Sequence, residues 1–240
     1  MIYRSNLTCP DFTPKFRHLH SRPMAHSFGH DVPSDWKDKA DDDPVFGLYK
    51  RCGMWTHDEA AILWNVSARV KLKRALDIGC HTGWTTTHMA VPGMSIAAID
   101  PMIRVPEFHQ RFIDNGAPSG VSFATSEQYF KSLSPGAIFG LVVIDGDHTA
   151  PIPLEDAENA LDHLGPDGVI MLHDGTGKPV RDAVRFLIGE GMHCRGYCTP
   201  HLVFCCWRGD FKPPNHVPDP DVAGAIVDGR CDDFDWSRCE

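Results

Sequence analysis

The chain lacks any long apolar run: no window approaches the ~20 consecutive apolar residues of a membrane-spanning helix. Its opening residues, "MIYRSNLTCPDFTPKFRHLH", lack the apolar core of a secretory signal. Both absences predict a cytoplasmic protein with no membrane partner. A Lys/Arg-rich block is missing too, and the net charge is −9. A surface built to track phosphates is therefore not expected, and a neutral or cationic small molecule suits the chain better than nucleic acid. The nine cysteines, an odd number spread from Cys9 to Cys239, contain no C-x-x-C pair, which speaks for reduced thiols and against a zinc knuckle or a disulfide framework. "HCRGYCTPHLVFCC" is rich in His and Cys, but it has the length and composition of two short strands with buried thiols.

What is present suffices for one core. With 240 residues and 42% hydrophobic content, a single domain can bury its own interior. Residues 1–55 are rich in His, Pro and Asp without a period, which predicts an irregular arm or lid carrying His18, His20, His26 and His30. The ordered domain is expected over 56–210 and an extended tail over 211–240. An arm of that length suits swapping onto a second copy or closing a site, so a homo-oligomer stays open.

Thr56 and Glu59 have capping-box spacing ahead of Ala60, Ile62, Leu63, Val66 and Val70, apolar positions on one helical face. Short apolar runs follow ("ALDIG", "SIAAID", "VSFATS", "GLVVIDGD", "GVIMLHD"), and between them lie helical segments such as "PEFHQRFIDNG", "SEQYFKSL", "PLEDAENALDHLG" and "PVRDAVRFLIGE". Strands apolar nearly throughout, alternating with helices, predict an α/β fold with a parallel sheet covered on both faces and a ligand beyond the strands' carboxyl ends. "MHCRGYC" and "HLVFCCWR" are joined too tightly for a crossover helix and must pair antiparallel.

The most informative stretch is "RALDIGCHTGWTTTHMA", residues 74–90. A strand ending at Ile78, a Gly79-x-x-x-Gly83 turn and a following helix would turn free backbone N–H groups toward a ligand. His81 stands where the dinucleotide fingerprint wants its middle glycine, and the carboxylate of Asp77 would repel a pyrophosphate. Asp77 can instead pair with an amino group or order water around one. Asp100, ending the second run, can accept both hydroxyl protons of a ribose, and Ser126 and Glu127, after the third, fall where an adenine would lie. A ribose, an adenine and a zwitterionic amino-acid end together describe S-adenosylmethionine. Trp84, beside Gly83, could cover such a ligand or pack in the core.

The motifs "LDIGCHTGWTT", "AAID", "FATSEQYF" and "LVVIDGDHTAPIPLEDAENALDHLGPDGVIMLHDG", followed by the antiparallel pair, resemble class I S-adenosylmethionine-dependent methyltransferases. More narrowly they resemble the "IDGDH…HD" group that includes metal-dependent O-methyltransferases of natural-product sugars. The resemblance covers roughly residues 56–208. It implies a Rossmann-like three-layer sandwich whose seven-stranded, mostly parallel sheet has its last strand antiparallel. It also implies cofactor contacts at Asp77, Gly79, Cys80, Gly83, Asp100, Ser126 and Asp145.

"VVIDGDH" and "IMLHDG" end successive strands. If these are neighbours, Asp145 and Asp174 come within roughly one strand spacing, ~5 Å, and two carboxylates that close call for a cation such as Mg²⁺ between them. The metal would bind a substrate hydroxyl and lower its pKa, and His148, three residues after Asp145, is placed to take the proton. The resemblance implies metal ligands at Asp145, His173 and Asp174 and a base at His148, although relatives carry two acidic or amide residues where this chain has His173-Asp174. The expected activity is methyl transfer from S-adenosylmethionine to a small-molecule hydroxyl. Three alternatives remain: a metal-free N-methyltransferase acting on a small amine, an NAD-dependent oxidoreductase, and a methyltransferase-like binding protein without catalysis.

Overall fold

The computed structural model describes residues 6–10, 12, 55–81, 83–101 and 119–218. The arm's four histidines, the segment "PEFHQRFIDNG" and the tail beyond residue 218 lie outside the described residues. The elements run α1 (His57–Arg69), β1 (Arg74–Ile78), α2 (Trp84–Met89), β2 (Ser95–Ile99), β3 (Ser119–Ser122), α3 (Ser126–Ser132), β4 (Phe139–Ile144), α4 (Ile152–Asp162), β5 (Leu164–Leu172), α5 (Lys178–Gly189), β6 (His193–Tyr197) and β7 (Val203–Trp207). Among the described residues no helix is long and apolar enough to cross a membrane.

One seven-stranded sheet has the order β3-β2-β1-β4-β5-β7-β6. The first five strands are parallel, while β7 runs antiparallel to both β5 and β6. The chain winds one way from β1 through β2 and β3, then the other way from β4, so the switch point lies between β1 and β4. Open α/β sheets bind ligands at that crevice.

Strand alternation sorts the core into two layers. Leu76, Ile78, Val142, Ile144, Ile170, Leu172, Phe204 and Cys206 face one layer, together with Phe130 of α3, Ala157 and Ala160 of α4, and Val184 and Leu187 of α5. Ala75, Leu141, Val143, Val169, Met171, Val203, Cys205 and Trp207 face the other, against Ile62, Leu63 and Val66 of α1 and Trp84 and Met89 of α2. The thiol-rich "HCRGYCTPHLVFCC" is the β6–β7 pair, as expected, with Cys206 Sγ 3.5 Å from Cys194 Sγ. No disulfide joins the cysteines among the described residues.

The capping box forms as spaced: the Glu59 N–H donates to Thr56 Oγ1 at 3.1 Å, and the Thr56 N–H donates to Glu59 Oε2 at 2.7 Å. The start of the tail packs back on the domain. Phe211 is buried near Trp207, and Tyr197 Oη donates to the Pro214 carbonyl at 3.0 Å.

Candidate active site

Carboxylates gather at the ends of β1, β2 and β4: Asp100 and Asp145 directly follow β2 and β4, and Asp77 lies within the end of β1. Asp77 is the penultimate residue of β1 and is completely buried. Its Oδ2 accepts hydrogen bonds from the hydroxyls of Thr85, at 2.8 Å, and Thr86, which explains the threonines of α2: a helix of poor helical propensity held by a buried acid. Asp77 Oδ1 has no hydrogen-bond partner. Burial, partly countered by the Thr86 and Thr85 hydroxyls, pushes this carboxyl up to about 7.

Gly79 is needed for a reason the sequence did not disclose. Its φ is +83°, and a Cβ there would stand 2.1 Å from the Asp145 carbonyl oxygen, so the turns after β1 and β4 touch backbone to backbone. Gly83, with φ 84°, opens α2 from the left-handed region. The His81 N–H donates to Asp100 Oδ2 at 2.9 Å.

These turns line one cavity of about 1030 Å³. Of the residues singled out in the sequence, it brings together Gly79, Cys80, Trp84, Asp100, Ser126, Glu127, Asp145, His148 and Asp174. Asp77, Gly83 and His173 are not lining residues, though Gly79, Cys80 and Trp84 beside them are. Trp84 is only 2% exposed and packs on His88, ring centroids 4.2 Å apart. Glu127 sits at the rim, 72% exposed and paired with Lys131. Burial raises the Cys80 thiol far above its ordinary value, which makes it a poor nucleophile.

The second constellation brings the Asp145 and Asp174 carboxylates within 4.8 Å of each other, as expected, but by a different register. Val143 pairs with Met171 and Ile144 with Leu172, so the next position sets Asp145 beside His173, on the layer that faces α1. His173 Nδ1 lies 3.0 Å from Asp145 Oδ1 and 3.2 Å from Asp174 Oδ2. Asp174 takes a left-handed φ of 55°, and its carboxylate turns back toward this ring. His148 Nε2 approaches from the cavity, 3.6 Å from Asp145 Oδ1 and 3.5 Å from Asp174 Oδ2. Burial works against charge on His173, but Asp145 and Asp174 outweigh it and hold its pKa well above the ordinary imidazole value. Burial likewise opposes ionisation of Asp145, yet His173 and His148 keep its carboxyl far below the usual range. Contact with Asp145 raises His148 against a smaller opposing effect of burial.

Four contributors escaped the sequence reading. Trp55 Nε1 donates to Asp145 Oδ2 at 2.8 Å, and its ring stacks on His173 at 4.6 Å. Glu59, the helix cap, also accepts from the His201 N–H at 3.0 Å and lies 3.5 Å from His173 Nε2. His201 had been set aside with the thiol-rich pair. Asp156, inside α4, lines the cavity. Among the described residues, potential ligand atoms fall into two sets whose members all lie within 4.8 Å of one another: Asp145 with His148 and Asp174, and Glu59 with His173 and His201. His173 thus belongs to the second set, while His148 completes the first.

Residues 76–175 match the sequence model of a family described as a methyltransferase domain. No curated protein matches the chain. Among solved structures, the Bacillus cereus O-methyltransferase in complex with S-adenosylhomocysteine superposes with TM-score 0.54 at 12% identity, over 62% of this chain and 80% of that one. The Streptomyces achromogenes O-methyltransferase of tomaymycin synthesis, in complex with S-adenosylmethionine, does so with TM-score 0.53 at 16% identity, over 65% and 82%. Precorrin-6y C5,15-methyltransferase from Geobacter metallireducens gives 0.52 at 18%, over 65% and 90%. Residues 76–175 thus carry the sequence pattern of a methyltransferase domain, on the Rossmann-like sheet that these structures share.

Proposed function

We propose that this chain is an S-adenosylmethionine-dependent methyltransferase acting on a hydroxyl oxygen of a small molecule, with His148 as the base. One observation carries the reading: the His148 imidazole stands on the cavity with its Nε2 directed at two carboxylates, Asp145 and Asp174. The two carboxylates favour a hydrogen on the nearby Nε2, which would leave Nδ1 to take the acceptor's proton. The S-adenosyl group, when bound, supplies an electrophilic methyl on a sulfonium leaving group.

The residues present fit that group. The unpartnered, buried Asp77 Oδ1 offers the ammonium end an acceptor, directly or through one water. Asp100, at the end of the neighbouring strand, lies beside it for the ribose hydroxyls, and Ser126 follows for the base. Gly79, Cys80, Gly83 and Trp84 shape the amino-acid end of the wall, and Glu127 closes the rim. Asp77 opposes a nicotinamide dinucleotide, because a buried carboxyl beside the turn repels a pyrophosphate.

A divalent cation such as Mg²⁺ is a second reading, favoured by the convergence of Asp145, His148 and Asp174 oxygen and nitrogen atoms within 4.8 Å. These three would hold it, and it would polarise the acceptor hydroxyl. His173, named as a ligand from the sequence, faces the same carboxylate oxygens through Nδ1 and supplies the compensating charge itself.

The experiment is methyl transfer from labelled S-adenosylmethionine to a panel of phenols, sugars and amines, for wild type and His148→Ala. Product on hydroxyl acceptors that disappears in the variant supports the proposal; product on amines alone rejects it.

A further inference from the structure

On the α1 side of the sheet, Glu59, His173 and His201 form a second cluster that the base chemistry does not use. They come from the first turn of α1, the residue after β5 and the β6–β7 connection. Glu59 Oε2 stands 3.0 Å from His201 Nδ1 and 3.5 Å from His173 Nε2, and one ligand atom from each residue falls within 4.8 Å of the other two. The Glu59 and His173 side chains are fully buried, and that of His201 is 12% exposed.

Helix capping explains only part of this geometry. Each Glu59 oxygen already accepts one backbone N–H, from Thr56 at 2.7 Å and from His201 at 3.0 Å, which fixes the carboxylate and leaves each oxygen a second lone pair. Hydrogen bonds to the rings use these poorly. The single Nδ1 hydrogen of His201 would be split between two oxygens at 3.1 and 3.0 Å, and the 3.5 Å to His173 Nε2 is at the outer limit of a hydrogen bond. Four-coordinate zinc, by contrast, holds nitrogen and oxygen ligands at ~2.0–2.2 Å, which sets tetrahedral neighbours about 3.3–3.5 Å apart. The other nitrogen of His173 has the support such a ligand needs, with Nδ1 3.0 Å from Asp145 Oδ1 and 3.2 Å from Asp174 Oδ2. A metal-binding imidazole ordinarily donates its second N–H to a carboxylate, which fixes its tautomer and orientation.

We propose that Glu59, His173 and His201 form a binding site for a zinc-like divalent cation, with His173 Nε2 and His201 Nδ1 as its imidazole ligands. Two imidazoles and one carboxylate suit zinc rather than Mg²⁺, which takes oxygen ligands and gives up its waters reluctantly. Binding replaces the Nε2 proton of His173 with the metal and releases that proton to solvent. The positive charge facing Asp145 and Asp174 then passes from the ring to the metal beyond it. The site ties α1 to β5 and to the β6–β7 connection, and it does not depend on the S-adenosyl reading.

The test is zinc binding by equilibrium dialysis and elemental analysis, on chelator-treated wild type and His201→Ala, with Co²⁺ as the spectroscopic probe. Wild type should hold a zinc ion here, melt at a higher temperature when it is added, and give the visible bands of tetrahedral Co²⁺ without a sulfur charge-transfer band. His201→Ala should bind that zinc more than about 100-fold more weakly, beyond the cost of losing a residue that only supports a ligand. His148→Ala, which breaks the other set, should keep it. No zinc in wild type, equal affinity in His201→Ala, or a cobalt spectrum of thiolate ligation would overturn the site. Should His201→Ala fail to fold, Glu59→Gln, whose amide keeps the helix cap but not the charge, and the wild-type cobalt spectrum decide instead.

Discussion

His173 Nδ1 lies 3.0 Å from Asp145 Oδ1 while the indole of Trp55 stacks on the imidazole face. An imidazolium thus sits between Asp145 and Asp174, with Glu59 3.5 Å from its other nitrogen. Removing it leaves buried carboxylates uncompensated. His173→Ala should lose about 3–5 kcal/mol of stability, read from the urea midpoint. A loss under ~1 kcal/mol, as for an exposed ion pair, would show that the ring is not the counter-charge.

Asp77 should couple stability to pH. Its folded pKa, about 7, is raised above the ordinary carboxyl value, so folding favours the protonated form. The stability this contributes is complete below about pH 4 and is lost as pH rises to about 7. Wild type should therefore lose stability relative to Asp77→Asn between pH 4 and 7, by up to about 4 kcal/mol on the linkage relation. Parallel urea titrations check this, and two curves with a constant gap would contradict it. S-adenosylhomocysteine affinity should show the opposite trend: an ammonium group favours the ionised acid, so wild-type affinity rises with pH up to about 7 and the variant's binding is weak and flat.

His148→Ala should lower kcat by about 10²- to 10⁴-fold, the usual contribution of a positioned base, without weakening S-adenosylhomocysteine. Because contact with Asp145 raises its pKa above 6.5, the wild-type rate should fall on acidification through a pKa above that of free imidazole. The variant should lack this limb. A limb that persists in the variant assigns the proton transfer elsewhere.

Metal dependence separates the two readings of the carboxylate pair. If His173 is the resident cation, activity survives chelation, and Mg²⁺ or Mn²⁺ added to the S-adenosylhomocysteine complex gives no heat. Saturable binding abolished by Asp174→Ala would instead establish the divalent site.

The order of strands and helices was legible because each run keeps its period and ends in an acid or a glycine. In the site's first half, Asp100 and Ser126, singled out at the strand ends, line the cavity, and Asp77 does not. The second half was legible only in composition: "IDGDH" and "LHDG" named the right residues, but the parallel register set Asp145 against His173 and brought Asp174 back through a left-handed turn. Trp55, Glu59 and His201 join the cluster from α1 and the β6–β7 connection, far away in sequence. Nothing in their local pattern marks them, because a capping Glu and a helix-flanking Trp already have a sufficient local reason to be there. Asp156 was hidden in the same way, as one acid among several on a helix of mixed polarity.

On the proposed function, the turn from Asp77 to Gly83 holds an S-adenosyl ligand. Calorimetric titration of S-adenosylhomocysteine, with NAD⁺ in parallel, tests it most directly. The account predicts micromolar binding of the former, no binding of the latter, and loss of the signal in Asp77→Asn. Binding of NAD⁺ alone, or of neither ligand, would contradict it.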